Sequence, residues 1–153
     1  MEAIRTNSSN PDFRQLVELL DAGLRVIDGD EASFFAQYNK IDGINNVVVV
    51  YENGNAAGCG AFKEYAPETA EIKRMFTRLE YRRNNIAAEV LAELENWARE
   101  CGYRKAILET GDKMTAAIAL YQKAGYLQIP NYGQYIGVKS SVCMEKDLKQ
   151  SDR

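Results

Sequence analysis

Residues 71–87, EIKRMFTRLEYRRNNIA, carry the pattern that decides the fold. Alternating apolar residues, typical of a β-strand, lead into a short turn rich in arginine and asparagine, and an amphipathic helix follows directly. Such a helix directs its unpaired backbone N–H groups and the positive end of its dipole at whatever lies before it. Arg82 and Arg83 add two full charges to that field. We therefore predict that this turn binds a phosphorylated ligand.

The composition limits the classes of partner. The chain has 153 residues, 46% of them hydrophobic and 27% charged, which predicts one globular domain over residues 1–153. A net charge of −3 argues against nucleic acid, because affinity for a phosphate backbone needs a basic surface. The chain has no amino-terminal apolar segment of signal or membrane-spanning length. We therefore expect a cytoplasmic protein that binds neither nucleic acid nor membranes.

Cysteine usage does not predict a metal site. Cys59, Cys101 and Cys143 are widely spaced, and the sequence contains neither histidine nor a Cys-x-x-Cys pair. A zinc site is therefore not expected. Each cysteine lies in an apolar run, which favours a small buried side chain over a reactive nucleophile.

The remaining hydrophobic patterns predict an α+β fold. Helices are expected over residues 12–26, 31–38, 86–101 and 115–123. Strands are expected over residues 3–6, 47–51, 56–65, 69–77, 105–109, 126–129 and 140–146. The order of these elements predicts a largely antiparallel sheet with helices packed against it, rather than a doubly wound fold.

Three segments together resemble the GNAT superfamily of N-acetyltransferases. They are residues 71–91, 108–111 and 117–126, and their order and spacing agree with the family as well as their residues. The resemblance implies a GNAT-like mixed sheet flanked by helices. It also implies an enzyme that transfers an acetyl group from acetyl-CoA to a primary amine, directly in a ternary complex and without a metal. We expect a small-molecule or peptide amine as the acceptor. The sequence leaves open an amino acid, a polyamine, an aminoglycoside, a peptide amino terminus and a protein lysine, and a homodimer is a candidate assembly.

The resemblance also implies which residues bind the cofactor. A strand end would pair its backbone with the pantetheine amides, almost as an added strand, and the turn that follows would hold the pyrophosphate. These residues are Met75, Phe76 and Thr77 on the strand, and Arg82, Arg83, Asn84, Asn85, Ile86 and Ala87 in the turn.

Asn85 departs from the family pattern. The usual turn has Arg or Gln, two variable residues, Gly, one variable residue, and Gly or Ala; Arg82 and Ala87 fit, but Asn85 replaces the first glycine. Asparagine tolerates positive φ better than most non-glycine residues. We therefore expect Asn85 to keep the backbone conformation and to offer its side chain to a phosphate oxygen. The alternative is a plain helix entry, capped by Asn84 or Asn85, that binds no ligand.

Two residues are candidates for proton transfer. By resemblance, Tyr121 lies near the CoA sulfur and protonates the departing thiolate. A tyrosine hydroxyl and a thiol have ordinary pKa values of about 10 and about 8.5, so this proton transfer is chemically reasonable. The alternative is a core aromatic residue, because its neighbours follow helical spacing. Glu71 stands where histone-type members have a strand glutamate that removes the proton of the acceptor ammonium. The alternative is a structural ion pair with Lys73 on the same strand face.

Further positions concern the acceptor and the runner-up function. Glu109, Tyr132 and Tyr135 are implied substrate residues, although Glu109 could instead bind nearby backbone. Met114 stands where relatives often have an Asn or Gln that touches the cofactor, so we expect one cofactor hydrogen bond to be missing or to be supplied by another residue. The departures at Asn85 and Met114 leave a second function open, a non-catalytic acyl-CoA-binding or regulatory domain that retains the fold.

Overall fold

The computed structural model describes residues 1–38, 40–41 and 43–149. The chain forms two compact units. The first contains Met1–Lys63 and Lys73–Leu94, and the second contains Glu64–Ile72 and the residues from Glu95 onward. A single domain over residues 1–153 stays a prediction.

The strands form one sheet in the order β1-β2-β3-β4-β5-β7-β6. The pairing of β4 with β5 is parallel, whereas β1–β2, β2–β3, β5–β7 and β6–β7 are antiparallel. The predicted α+β arrangement is therefore confirmed. The strands are β1 (Glu2–Thr6), β2 (Asn46–Glu52), β3 (Asn55–Ala66), β4 (Thr69–Thr77), β5 (Lys105–Gly111), β6 (Leu127–Ile129) and β7 (Ser141–Asp147). The helices are α1 (Pro11–Asp28), α2 (Ala32–Ala36), α3 (Ile86–Glu100) and α4 (Thr115–Lys123).

The first unit is built around the β2–β3 hairpin. Asn53 and Gly54 both have positive φ, 51° and 81°, which suits a tight hairpin turn whose twist matches the strands. Helix α1 begins at a defined point, because the Asn10 side chain accepts a hydrogen bond from the backbone N–H of Phe13 at 2.9 Å. The apolar face of α1 packs on the hairpin in a buried core that contains Phe13, Leu16, Val17, Ile44, Val47, Val49, Cys59 and Ala61.

The second unit is built around β7, which lies between β5 and β6. Glu109 is opposite Cys143 in the β5–β7 pair, and Gln128 is opposite Met144 in the β6–β7 pair. Helix α4 ends before Gly125, whose φ of 102° allows the chain to reverse into β6. These pairings bring residues distant in sequence to the same part of the unit.

A buried polar network stabilises the second unit. The carboxylate of Glu95, which is 5% exposed, accepts hydrogen bonds from Lys146 Nζ at 2.8 Å and from the Tyr126 hydroxyl at 2.9 Å. Burial, and then the Glu95 charge, raise the pKa of Tyr126 above its ordinary value. Tyr126 therefore remains a hydrogen-bond donor. This network connects the second half of α3 to β7 and to the residue before β6.

The cysteine prediction holds at two of three positions. Cys59 and Cys143 are buried as expected, whereas Cys101 is exposed, so the prediction for Cys101 is wrong. Cys101 lies just beyond Glu100, the last residue of α3, so the helical spacing on which the prediction depended ends before it. Among the residues that the structure describes, no cluster of three or more His, Cys, Asp and Glu side chains could hold a metal ion. Within the same residues, no helix combines the length and apolar character that crossing a bilayer demands.

Candidate active site

The predicted phosphate-binding turn lies in the first unit, between the end of β4 and the start of α3. Arg83 and Asn85 have φ values of 71° and 62°, so the positive φ that the sequence suggested for Asn85 is confirmed. The Asn85 carbonyl accepts a hydrogen bond from the backbone N–H of Glu89 at 3.0 Å, as expected of the residue that starts a helix. The turn therefore keeps the conformation that glycine would allow, and the N–H groups at the start of α3 follow it directly.

The arginines of this turn have different surroundings. The Arg82 side chain folds back on β4, where its Nε donates to the Thr77 carbonyl at 3.1 Å and its Cζ lies 6.0 Å from the centre of the Phe76 ring. Arg83 and Asn84 are exposed. Arg82 thus fixes the turn to the strand end, while Arg83 carries its charge into solvent beside the helix start.

Gly58 on β3 sets the position of the turn, and sequence reasoning missed it. A Cβ atom at Gly58 would lie 2.6 Å from Ile86 Cγ2 and 2.9 Å from the Phe76 carbonyl oxygen. The absence of a side chain therefore lets the first residue of α3 and the end of β4 approach β3 closely. A glycine inside a strand pattern is the signal that could have identified it.

Gly58→Ala should lower the free energy of unfolding by roughly 1–3 kcal/mol, because the added methyl group overpacks a contact with backbone on one side. Gly23→Ala is the matched control, since a Cβ at Gly23 meets nothing within 4 Å in helix α1 and alanine favours helix. Urea unfolding measures both variants. Equal stability of the two would show that the space at Gly58 is unimportant.

Glu71 lies in the second unit and contacts one of the predicted substrate residues. It is 4% exposed, and its Oε2 accepts a hydrogen bond from the Tyr132 hydroxyl at 2.7 Å. Burial, followed by the charge of Glu71, raises the pKa of Tyr132 far above its ordinary value. Tyr132 is therefore protonated at neutral pH and donates to the carboxylate. The ion pair with Lys73 stays a prediction.

Packing of the loop before β7 places Tyr132. The Tyr132 ring lies between Tyr65 and Tyr135, with edge-on ring centroids 5.1 Å and 5.6 Å away. The Asn131 amide donates to the carbonyls of Tyr135 at 3.0 Å and Val138 at 2.9 Å. These contacts pack the predicted substrate loop, and the Tyr132 hydroxyl lies against Glu71.

Glu109 lies near the same tyrosines. Its Oε2 accepts a hydrogen bond from Ser141 Oγ at 2.6 Å, a contact with a side chain that the sequence analysis did not include. Burial, followed by the charges of Glu109 and Glu71, raises the pKa of the buried Tyr135 above its ordinary value. The structure therefore brings together Glu71, Glu109, Tyr132 and Tyr135, four residues that the sequence analysis placed at the acceptor side.

Tyr121 lies on α4 in the second unit and is 6% exposed. Its ring meets that of Tyr126 edge-on, with centroids 5.8 Å apart. Burial, and then the charge of Glu109, raise the pKa of Tyr121 above its ordinary value, so the hydroxyl is protonated but is a weaker acid than that of an ordinary tyrosine. Burial is equally compatible with a core aromatic residue, so both interpretations stay open.

The match to a known family covers most of the chain. Residues 13–126 match the profile of the acetyltransferase (GNAT) family. This protein therefore belongs to the GNAT acetyltransferase family, which confirms the resemblance seen in the sequence.

Individual relatives agree with this assignment. The chain is 34% identical to an IAA acetyltransferase of Azospirillum brasilense over 102 residues, 66% of this chain and 67% of that protein. A Klebsiella pneumoniae structure, assigned as an acyl-CoA N-acyltransferase, superposes with a TM-score of 0.82 at 26% identity and covers 97% of both chains. A Salmonella typhimurium protein assigned as an acetyltransferase, solved with its cofactor acetyl-CoA, shares the fold at a TM-score of 0.68 and 18% identity, with 100% and 96% coverage.

Proposed function

We propose that this protein transfers the acetyl group of acetyl-CoA to a primary amine by direct transfer in a ternary complex. The observation that carries the proposal is the Arg82–Ala87 turn. Its backbone adopts positive φ at Asn85 and leads directly into the first N–H groups of α3, and such N–H groups at a helix start favour an anionic ligand. The acetyl-CoA present in the structure of the Salmonella relative supports the same choice of donor.

The proposed roles follow from the chemistry of acyl transfer. The thioester of acetyl-CoA supplies the activated acyl group. Glu71 takes a proton from the acceptor ammonium, so that the neutral nitrogen can form the new C–N bond. As the C–S bond breaks, Tyr121 gives its proton to the departing sulfur. Arg82, Arg83 and Asn84 bind the pyrophosphate together with the N–H groups at the helix start, and the backbone of Met75, Phe76 and Thr77 pairs with the pantetheine amides.

A non-catalytic acyl-CoA-binding or regulatory domain is the second candidate. Met114 favours it, because this residue precedes α4 and its side chain makes no capping hydrogen bond. A thioether is only a weak acceptor and donates nothing, so it cannot replace the amide that relatives place here. We nevertheless place catalysis first, because the family whose profile matches this chain is a family of acetyltransferases.

The decisive experiment measures free-thiol release from acetyl-CoA with a panel of amines. The panel contains an amino acid, a polyamine, an aminoglycoside, a peptide with a free amino terminus and a lysine-containing protein. Turnover with any of them supports the acetyltransferase. CoA binding by calorimetry without turnover on any amine would favour the second candidate, and absence of both would contradict the cofactor site. We further propose a cytoplasmic location, a homodimer, and no nucleic-acid or membrane partner.

Asn85→Val should weaken CoA binding by about ten-fold, because a β-branched residue at positive φ is strained by about 1–3 kcal/mol. Asn85→Gly should bind CoA as well as or better than the parent protein, since glycine adopts positive φ without cost. Calorimetric titration with CoA measures both. Asn53→Val, which places valine at a positive φ of 51° in the turn between β2 and β3, is the control and should leave the affinity unchanged. Equal affinity of all variants would remove this backbone conformation from cofactor binding.

A further inference from the structure

The contact between Tyr132 and Glu71 joins residues separated by 61 positions in the chain. Tyr132 precedes a short helical turn at Gly133–Tyr135, and Glu71 is a buried residue of β4. The hydroxyl–carboxylate distance of 2.7 Å is that of a short, charge-assisted hydrogen bond. Such a bond restrains the rotation of the carboxylate about its terminal torsion.

We propose that Tyr132 is a positioning residue, whose hydroxyl holds the Glu71 carboxylate in the orientation that receives the proton of the acceptor ammonium. The inference rests on the proposed function, in which Glu71 is the base. Proton transfer depends steeply on the distance and alignment of the two heavy atoms. A strong hydrogen bond from Tyr132 therefore helps the carboxylate to present the same orientation to each acceptor molecule.

The surroundings of Tyr132 suit a fixed donor. The Tyr132 ring packs edge-on against the rings of Tyr65 and Tyr135. Movement of its hydroxyl away from Glu71 would therefore disrupt both ring contacts. Gly133 has a φ of 52°, and a Cβ there would lie 3.2 Å from the Tyr65 hydroxyl oxygen, so the loop passes close to Tyr65. The raised pKa of Tyr132 keeps the hydroxyl protonated, which makes it a donor across the working range of pH.

A double-mutant cycle tests the proposal with the panel amine that gives the highest kcat/KM and acetyl-CoA as donor. The variants are Tyr132→Phe, Glu71→Gln and the double variant, with Tyr65→Phe as the matched control. Tyr132→Phe keeps the ring and its edge contacts but removes the donor. Tyr65→Phe removes a hydroxyl from the ring that packs edge-on against Tyr132.

We expect Tyr132→Phe to lower kcat by roughly ten-fold with little change in the KM for acetyl-CoA. In the Glu71→Gln background the same change should cost almost nothing, because the two residues act as one unit. A loss of folded protein would lower kcat equally in both backgrounds, so this non-additivity separates positioning from structural damage. Tyr65→Phe should have a small effect of the same size in both backgrounds.

The outcomes separate the inference from the function on which it rests. If Glu71→Gln is as active as the parent protein, the base role of Glu71 is wrong, and the positioning role falls with it. A second outcome is that Glu71→Gln is severely impaired, whereas Tyr132→Phe is either fully active or lowers kcat by the same factor in both backgrounds. The base role of Glu71 then survives, and the positioning role of Tyr132 alone is overturned.

Discussion

Tyr121→Phe is expected to lower kcat by about a hundred-fold or more, which is the usual contribution of a general acid, while the Kd for CoA changes little. Phenylalanine keeps the ring and its edge contact with Tyr126, so the substitution removes only the hydroxyl. An interaction made only in the transition state affects kcat and leaves ground-state binding intact. Steady-state kinetics together with calorimetric titration of CoA measure the two quantities separately.

Tyr126→Phe is the control for this experiment. It changes the other ring of the same aromatic pair, but its hydroxyl bonds to Glu95 and has no proposed part in the reaction. We expect it to lower the free energy of unfolding by about 1–3 kcal/mol, since a buried carboxylate loses a donor, and to leave the kcat of the folded protein nearly unchanged. If Tyr121→Phe behaves in the same way, Tyr121 is a core aromatic residue and another group protonates the thiolate.

Local sequence signals predicted most elements of the fold. Strand β4 and helix α4 have the predicted bounds, Thr69–Thr77 and Thr115–Lys123, because strong periodicity and clear end signals coincide there. The second helix is less regular than predicted, since Gly29–Glu31 forms a separate 3₁₀ turn before Ala32–Ala36. Asn85 was a departure from a motif, yet the backbone conformation that the motif requires could be inferred from what asparagine tolerates.

The contacts that arrange the candidate site could not be predicted in the same way. The Tyr132–Glu71 and Ser141–Glu109 hydrogen bonds join residues 61 and 32 positions apart, and no local pattern encodes which carboxylate meets which hydroxyl. They depend on strand order and on the path of the loop before β7. The environment of Gly58 is similar, because the residues that a Cβ would meet belong to other elements. The candidate site residues could be named from the sequence, whereas their partners required the tertiary structure.

Glu71→Gln should lower kcat/KM strongly, and most at low pH. Glutamine has nearly the same shape as glutamate but cannot accept a proton, so the variant must use the small fraction of acceptor that arrives as neutral amine. That fraction rises about ten-fold for each pH unit as the pH approaches the pKa of the amine. The defect should therefore be about a hundred-fold or more at the acid end of the profile and should shrink steadily with rising pH.

The shape of this profile distinguishes a base from a structural residue. A buried Glu71 that only accepts the Tyr132 hydrogen bond would leave the same relative defect at every pH, because damage to packing does not depend on the protonation of the acceptor. A wild-type profile in Glu71→Gln would instead mean that water or another group removes the proton of the acceptor. Glu109 is the candidate most similar to Glu71, since it too is a carboxylate that accepts a hydrogen bond from a hydroxyl group. Repeating the profile with Glu109→Gln decides between those two, because only the variant that lacks the base has a defect that fades as the amine loses its proton.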